Sequence, residues 1–298
     1  MEHILIIGCG LIGSSLLRAI VKKKISKKVF VYEKSKINIL KIKKLKLPCE
    51  IINNFRNVIP KIDLIIFCTP MSEYEKIILK INKYLTSKTI ITDVGSSKEI
   101  SLALIKKKLK KGISWTSSHP IAGSEVSGPE FGNHNLFLGK WCILIQEKDS
   151  NKKHLISLSK FWKKIGSKVS KMDSKKHDTI FSMTSHLPHL IAYNLVKTAT
   201  DFEKQKKYNL IKFSAGGLRD FSRIAASNEI MWRDIFFNNQ SNISKAIDIF
   251  IKNLKLFQKD IKSKKIKSLV KKLIETKKVR KKIIKLKQDI NKPDFGRN

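Results

Sequence analysis

The sequence of 298 residues is poor in cysteine and contains no long hydrophobic run. The cysteines are Cys9, Cys49, Cys68 and Cys142, which are far apart, form no Cys-x-x-Cys pair and have no neighbouring histidine ligands. This spacing argues against disulfides and against a zinc site, so we expect reduced thiols. No apolar run approaches the roughly 18 residues of a membrane span, and residues 1–10 show no basic leader. We therefore expect a cytoplasmic protein without a membrane segment.

Acidic residues and arginine are scarce beside lysine. Lys and Arg number 62 and Asp and Glu 24, which gives a net charge of +38. Such a balance often indicates a polyanionic partner, yet only seven of the 62 basic residues are arginines. Because nucleic-acid surfaces favour Arg for bidentate contacts, we interpret the excess lysine as a solvated surface produced by compositional drift. A nucleic-acid-binding module is the alternative from a different class of protein.

The hydrophobic content of 42% over this length is sufficient for about two domains, and the apolar pattern changes once along the chain. The first half alternates short apolar runs with amphipathic stretches, which predicts an α/β domain with a parallel sheet. The predicted strands are residues 3–7, 29–32, 64–68, 89–92, 115–118 and 141–145, with a short one near Lys168. The predicted helices are residues 11–23, 72–84 and 152–165. From Asp173 onward apolar residues recur at spacings of three and four, so we expect an α/β domain over 1–172 and an all-α domain over 173–298.

The helical half contains one further apolar pattern. Phe250, Leu254, Phe257 and Ile261 follow a spacing of four, three and four residues, which is typical of a helical seam. The seam could lie in the core of one chain or between two subunits. Residues 291–298 are predicted to form a frayed tail.

A glycine-rich turn follows the first predicted strand. Its sequence is Gly8-Cys9-Gly10-Leu11-Ile12-Gly13, a G-x-G-x-x-G match that opens a predicted helix. Gly8 permits the tight turn, Gly10 lets a pyrophosphate approach the backbone, and Gly13 lets the helix pack on the strand. The unpaired N–H groups of the first helical turn, at Leu11 and Ile12, favour an anion. The turn therefore predicts a dinucleotide site.

Four further candidate residues follow predicted strands, where ligands bind in such sheets. Glu33 lies 20 residues beyond Gly13, where its carboxylate can accept hydrogen bonds from a ribose hydroxyl. A 2′-phosphate would meet that negative charge, so NAD is favoured over NADP. Thr69 and Pro70 are expected to face the cofactor. Ser96 is a candidate for contact with the nicotinamide or a substrate hydroxyl, and capping of the next helix is its alternative role.

Histidines and arginines supply the remaining candidates. His119 opens the segment His119-Pro120-Ile121-Ala122-Gly123-Ser124-Glu125, whose small residues let a ligand approach, and we expect it just past the strand 115–118. The segment Ser185-His186-Leu187-Pro188-His189 places two imidazoles three residues apart. No carboxylate stands at ligand spacing from them, so no metal is expected. Arg219, Arg223 and Arg233 fall within fifteen residues and are candidates for carboxylate recognition.

With these motifs in this order, the chain resembles the prephenate dehydrogenase family, which includes arogenate and cyclohexadienyl dehydrogenases. The resemblance covers nearly the whole chain, and its motifs are residues 8–14, 93–98, 118–125, 185–189 and 216–232. It implies a Rossmann-like NAD-binding domain followed by a helical dimerisation domain, hence a homodimer that acts on a small molecule. This order agrees with the α/β-then-helix pattern.

The resemblance also implies the reaction, an oxidative decarboxylation of prephenate to 4-hydroxyphenylpyruvate in tyrosine biosynthesis. His119 matches the catalytic histidine that accepts the hydroxyl proton, and Ser96 matches a serine that orients the hydroxyl and the nicotinamide. Arg223 matches the arginine that binds a substrate carboxylate. Other positions that match the substrate pocket are His189, Ser124, Gly216 and Trp232. Glu125 and Asp220 fall where charged residues can interact with the substrate arginine.

Two enzyme alternatives stay open at this point. Arogenate dehydrogenase differs in accepting an amino-acid side chain, whose ammonium group Glu125 could attract. A 3-hydroxy-acid dehydrogenase shares the two-domain layout but relies on a catalytic lysine, and lysine is too common here to be informative. The ordered histidine motifs argue against this second alternative and against a basic nucleic-acid-binding module on a Rossmann-like scaffold.

Overall fold

The structure is a computed structural model and describes residues 1–286 and Gln288. The strands of this part are β1 (His3–Ile7), β2 (Lys28–Tyr32), β3 (Glu50–Ile52), β4 (Leu64–Phe67), β5 (Ile90–Asp93), β6 (Ser118–Pro120), β7 (Trp141–Ile145) and β8 (Lys168–Met172). The α-helices are α1 (Leu11–Lys22), α2 (Lys36–Lys44), α3 (Tyr74–Ile81), α4 (Glu99–Lys108), α5 (Lys152–Ile165), α6 (Ser174–Phe181), α7 (Leu187–Lys206), α8 (Gly216–Ala225), α9 (Glu229–Asn238), α10 (Gln240–Lys262) and α11 (Ile266–Lys285). The predicted tail at 291–298 lies outside the described residues.

The first five strands form one parallel sheet in the order β3-β2-β1-β4-β5. Its central strands β1 and β4 are almost wholly buried, as expected for a sheet covered by helices on both faces. The predicted parallel sheet is confirmed, although the short edge strand β3 was not anticipated. Because the strand order reverses between β1 and β4, their carboxyl ends flank the crevice where such sheets bind ligands.

The prediction of a strand at 115–118 is wrong in its extent. Trp115 makes only an isolated parallel bridge to Ile91, after which the chain turns into a second, three-stranded sheet of order β6-β7-β8. Here β6 runs antiparallel to β7, with His119 opposite Ile143, and β8 runs parallel to β7. His119 therefore lies inside a strand and not in the loop after one. The cause is long-range pairing with β7, which the local apolar pattern does not encode.

The second half is helical, as predicted. A π-helical turn at Ser182–His186 joins α6 to α7, and such turns often occur at functional sites. Helix α9 ties this half to the first: Trp232 and Ile235 are buried in the same hydrophobic cluster as residues of β4 and α3. The Asp234 carboxylate also accepts a hydrogen bond from the backbone N–H of Ser72, at 2.8 Å. The two halves therefore share a packed boundary.

The seam on α10 is left largely exposed by the part of the chain that the structure describes. Leu254 and Ile261 are 56% and 62% exposed, and Phe250 and Phe257 are half-buried. Of the two interpretations left open above, this exposure favours a contact between subunits.

Two expectations from the composition concern the state of the cysteines and the lack of a membrane segment. Cys9, Cys49, Cys68 and Cys142 are all free, which agrees with the expected reduced thiols. Among the described helices, none combines the length and the hydropathy needed to cross a bilayer.

Candidate active site

The glycine-rich turn adopts the geometry that its sequence predicts. Gly8 has a φ of 90°, and a Cβ atom there would lie 2.8 Å from the Thr69 Cγ2 atom. A Cβ at Gly13 would lie 2.1 Å from the Gly8 carbonyl oxygen, so only glycine permits this contact between strand and helix. Gly10, by contrast, faces open space, since nothing lies within 4 Å of its ideal Cβ position. The first turn of α1, with Leu11 and Ile12 half-buried, has no side-chain cap, so its N–H groups are available to an anion.

Residues at the ends of β2 and β4 adjoin this turn. The Glu33 carboxylate accepts hydrogen bonds from the backbone N–H of Cys9, at 2.7 Å, and of Ser35, at 2.8 Å. These bonds hold the carboxylate beside the glycine turn. The Thr69 hydroxyl is buried and finds no hydrogen-bond partner among the described residues, and the adjacent Pro70 is exposed. A buried hydroxyl without a partner is costly, which is evidence for a ligand that would satisfy it.

Ser96 lies in the turn between β5 and α4 and is half-buried. The alternative role of Ser96 as a helix cap is not observed, because no side chain of this turn caps α4. The cap is supplied from the helical half: the Asp178 carboxylate accepts hydrogen bonds from the backbone N–H groups of Lys98 and Glu99, the shortest contact to each being 2.9 Å. Ser96 is thus left available to a ligand.

A fully buried ion pair supports the same turn. The Lys98 ammonium lies 2.6 Å from the Asp93 carboxylate and donates to the Ser118 carbonyl at 2.8 Å. The Lys98 side chain is 0% exposed and that of Asp93 1%. Because the Ser118 carbonyl immediately precedes His119, Lys98 links the end of β5 to the strand that carries the candidate base.

His119 is buried, and its imidazole is hydrogen-bonded to a residue of the helical half. Its Nδ1 atom lies 2.8 Å from Nε2 of His177, whose Nδ1 atom lies 2.7 Å from the Asp178 carboxylate. The ring of Phe181 packs against both imidazoles, with centroids 4.9 Å from His119 and 4.5 Å from His177. Burial, with the neighbouring His177 and Lys98, lowers the pKa of His119 well below its ordinary value. The imidazole is therefore neutral at physiological pH and able to accept a proton.

The other two predicted histidines lie close by. Asn239 Nδ2 lies 3.1 Å from His186 Nδ1, and burial lowers the pKa of His186 to about 4. His189 donates from Nδ1 to the Ser185 carbonyl at 2.9 Å and stacks on the Trp232 indole, with centroids 3.9 Å apart. The buried Trp232 Nε1 atom has no hydrogen-bond partner. The rings of His186, His189 and Trp232 together form an aromatic surface with polar nitrogen atoms at its edges.

The predicted carboxylate-binding arginine lies on α8, which packs against α7. Arg223 Nη1 lies 3.5 Å from the Glu125 carboxylate, while its buried Nε has no partner in the part of the chain that the structure describes. The Ser124 hydroxyl donates to Glu125 at 2.9 Å. The backbone N–H of Glu125 and this hydroxyl, together with the charge of Arg223, lower the pKa of Glu125. Gly216 is exposed at the first position of the same helix.

The other two arginines occupy different environments. Arg233 is committed to the Asp234 carboxylate, with Nη2 at 2.7 Å, and also donates to the Ser72 hydroxyl. Arg219 is exposed. Of the three, Arg223 is the one with a buried nitrogen still to be satisfied.

Four further residues that the structure brings to this site were not predicted from the sequence. For His177 and Asp178, the adjacent His-Asp pair at the start of the helical half is the only sequence signal. Asp93 and Lys98 were noted only as the ends of a motif; their five-residue spacing does not reveal that the two side chains pair. Among residues 1–286 and Gln288, no cluster of three or more potential ligands could hold a metal ion.

Two family profiles match this chain. The profile for "Prephenate dehydrogenase, nucleotide-binding domain" matches residues 16–171. The profile for "Prephenate dehydrogenase, dimerization domain" matches residues 173–275. The first match begins after the glycine-rich turn, so the dinucleotide fingerprint is additional to it.

Individual relatives agree with the profiles. A cyclohexadienyl dehydrogenase from Zymomonas mobilis is 32% identical over 88% of this chain and 89% of its own length. A prephenate dehydrogenase from Bacillus subtilis is 29% identical over 85% of this chain and 68% of its own. Among solved structures, the prephenate dehydrogenase from A. aeolicus in complex with hydroxyphenyl propionate and NAD+ superposes with a TM-score of 0.88 and 33% identity, covering 95% of this chain and 98% of that one.

Proposed function

This chain belongs to the prephenate dehydrogenase family, and from that premise we propose that it converts prephenate to 4-hydroxyphenylpyruvate by NAD-dependent oxidative decarboxylation. The observation that carries the proposal is His119: a buried, neutral imidazole whose Nδ1 atom is hydrogen-bonded to His177 in the other half of the chain. Such a group accepts a proton from a hydroxyl at physiological pH. The reaction also requires a group that binds a substrate carboxylate and a site that binds the cofactor. We assign the first function to Arg223 and the second to the glycine turn.

The residues at the carboxyl ends of β1, β2 and β4 fit NAD. The open space at Gly10 and the uncapped first turn of α1 suit a pyrophosphate, and the buried Thr69 hydroxyl lacks a partner. Glu33 is held where its remaining lone pairs can accept from a ribose hydroxyl. NAD bound by these residues would supply the acceptor for the hydride that leaves the ring carbon bearing the hydroxyl.

The chain's own residues perform the rest of the chemistry. His119 takes the hydroxyl proton, and Ser96 orients that hydroxyl. Arg223 binds a substrate carboxylate through its planar guanidinium. His189 and Trp232 form a flat wall for the ring. The ring carboxylate leaves as carbon dioxide, and the resulting aromatic ring makes the step effectively irreversible.

Arogenate is the second candidate substrate. Glu125 is the residue that would attract its ammonium group, but here the Glu125 carboxylate lies beside Arg223 and accepts from Ser124. Since its charge is already partly balanced, we favour prephenate. The test is NADH formation by the purified chain with prephenate or arogenate, with NADP as control. Activity with arogenate alone would overturn the assignment of prephenate as the substrate. A lack of activity with both compounds would overturn the proposed reaction.

Replacing Glu33 by Gln is expected to raise the KM for NAD by about tenfold and to reduce the preference for NAD over NADP. The amide keeps one acceptor but loses the charge that strengthens the ribose hydrogen bonds and repels a 2′-phosphate. Steady-state kinetics with both cofactors measures the effect. Glu50→Gln is the matched control, because Glu50 forms an exposed pair with Lys28 on the adjacent strands. An unchanged KM for NAD would contradict the role of Glu33.

We also propose that two copies associate through the helical domain, which we place at residues 173–298. Replacing Leu254, 56% exposed on α10, by Glu is expected to convert the dimer to monomers at micromolar concentration, because a charge would be buried in the interface. Sedimentation velocity measures the mass. Leu40→Glu is the control, since Leu40 is 66% exposed on α2. A Leu254→Glu chain that stays dimeric would place the interface elsewhere.

A further inference from the structure

Three buried side chains connect a carboxylate of the helical half to the candidate base. Asp178 Oδ1 lies 2.7 Å from His177 Nδ1, and His177 Nε2 lies 2.8 Å from His119 Nδ1. Asp178 and His177 are 0% exposed and His119 is 7% exposed. Because these side chains are buried, the polar atoms that join them are satisfied by one another and not by solvent.

The direction of each hydrogen bond between these three side chains follows from the Asp178 carboxylate. An ionised carboxylate can only accept, so Nδ1 of His177 must carry a proton. Burial lowers the pKa of His177, which keeps this ring neutral and leaves a lone pair on its Nε2. The Nδ1 atom of His119 must then donate to that lone pair. The neutral His119 ring is thereby left with its own lone pair on Nε2.

The carboxylate at the start of this series is held rigidly. The backbone N–H groups of Lys98 and Glu99 donate to Asp178 from the N-terminus of α4, where the helix dipole favours a negative charge. Asn239 donates to the Asp178 carbonyl at 2.8 Å. The Phe181 ring packs against His119 and His177 and limits their rotation.

Resting on the proposed function, we propose that Asp178 and His177 are positioning residues that set the tautomer of His119, so that Nε2 accepts the substrate hydroxyl proton. In that step the O–H bond breaks and an Nε2–H bond forms, while the Nδ1 proton of His119 stays hydrogen-bonded to His177. The imidazolium charge is balanced by Asp178 through His177.

Other titratable groups face this pair of rings, and Lys98 and Asp93 are the charged ones among them. Lys98 approaches from the start of α4 with Asp93 as its counter-ion, and His186 approaches from the π-helical turn. Since Asp93 already balances Lys98, Asp178 is the carboxylate that compensates a proton on His119.

Asp178→Asn tests the proposal while preserving the cap of α4. The amide oxygen can accept from the N–H groups of Lys98 and Glu99, and the amide NH2 then faces His177 Nδ1 as a donor. This reverses both hydrogen bonds and places the proton of His119 on Nε2. We expect kcat to fall at least about tenfold, with KM for substrate and NAD little changed. The acid limb of the kcat/KM profile should move to lower pH, because the imidazolium loses its compensating charge.

A spectroscopic measurement separates positioning from structure. Nitrogen-15 NMR of histidine-labelled full-length chain is expected to show His119 protonated on Nδ1 in the wild type and on Nε2 in Asp178→Asn. An unchanged kcat, or a lower kcat with the Nδ1–H tautomer retained, would overturn the proposal. Asp260→Asn is the matched control. Asp260, on α10, is also a buried carboxylate, but it pairs with Lys272 on α11.

A second pair of variants covers the case in which Asp178→Asn does not fold. In His177→Gln the amide oxygen can still accept from His119 Nδ1, whereas His177→Leu offers no acceptor. We expect kcat to decrease from wild type to Gln to Leu; equal values for the two variants would refute the role of His177. If the wild type oxidises neither prephenate nor arogenate, the proposed function fails, and the NMR tautomers still decide whether Asp178 sets the protonation of His119.

Discussion

Replacing His119 by Asn is expected to lower kcat by about 100-fold or more while leaving the Kd for NAD unchanged. Asn retains a polar group of similar reach, but it cannot accept the hydroxyl proton. The glycine turn and Glu33, which are expected to bind the cofactor, belong to other elements. Single-turnover rates and a titration with NAD separate the two effects.

The pH profile gives a second measure of the same residue. Burial, His177 and Lys98 hold the pKa of His119 well below its ordinary value, and a base is active only when deprotonated. The plateau of kcat/KM is therefore expected to extend below about pH 6.5, where an ordinary imidazole is half protonated, and to fall only at lower pH.

The control and the contrary outcome are both specific. His154→Gln replaces another buried histidine, one on α5 that is hydrogen-bonded to Ser114 and to no residue of the candidate site, and should leave turnover unchanged. Near-normal turnover in His119→Asn would show that another group takes the proton.

Arg223→Ala is expected to raise the KM for prephenate by about 30-fold to 1000-fold, or about 2 to 4 kcal/mol of lost binding. The guanidinium has a buried Nε without a partner and only a 3.5 Å contact to Glu125, so it retains donors for a substrate carboxylate. Arg223→Lys should recover part of the affinity, because the charge remains and the planar fork is lost.

Steady-state kinetics over a wide range of prephenate concentration measures this change. Arg219→Ala, four residues earlier on the same helix and exposed, is the matched control. A KM that is unchanged in Arg223→Ala and raised in Arg219→Ala would move the carboxylate site to Arg219.

Features encoded locally were predictable from sequence. Helix α5 has the predicted bounds of 152–165 because Asn151 caps its start, accepting from the His154 N–H, and Gly166 ends it in the left-handed conformation. The glycine turn was predictable for the same reason, since strand, turn and helix lie within a few consecutive residues. The change to helices at Asp173 followed from apolar spacing alone.

Features that depend on distant partners were not predictable in this way. The strand that carries His119 was misplaced because β6 is defined by its pairing with β7, more than twenty residues later. Capping of α4 was the alternative role given to Ser96, but the cap comes from Asp178, 80 residues beyond Lys98.

By itself, then, the sequence determined the two-part architecture, the dinucleotide turn and the identity of the candidate base and arginine, because each depends on neighbouring residues or on motifs in a recognisable order. Only the tertiary structure decided what surrounds His119. Its neutral state and its hydrogen bond to His177 arise from burial between the two halves of the chain, and burial is a property of the packed molecule. The pairing of Arg223 with Glu125 was likewise decided by packing, since the two residues lie in different halves of the chain.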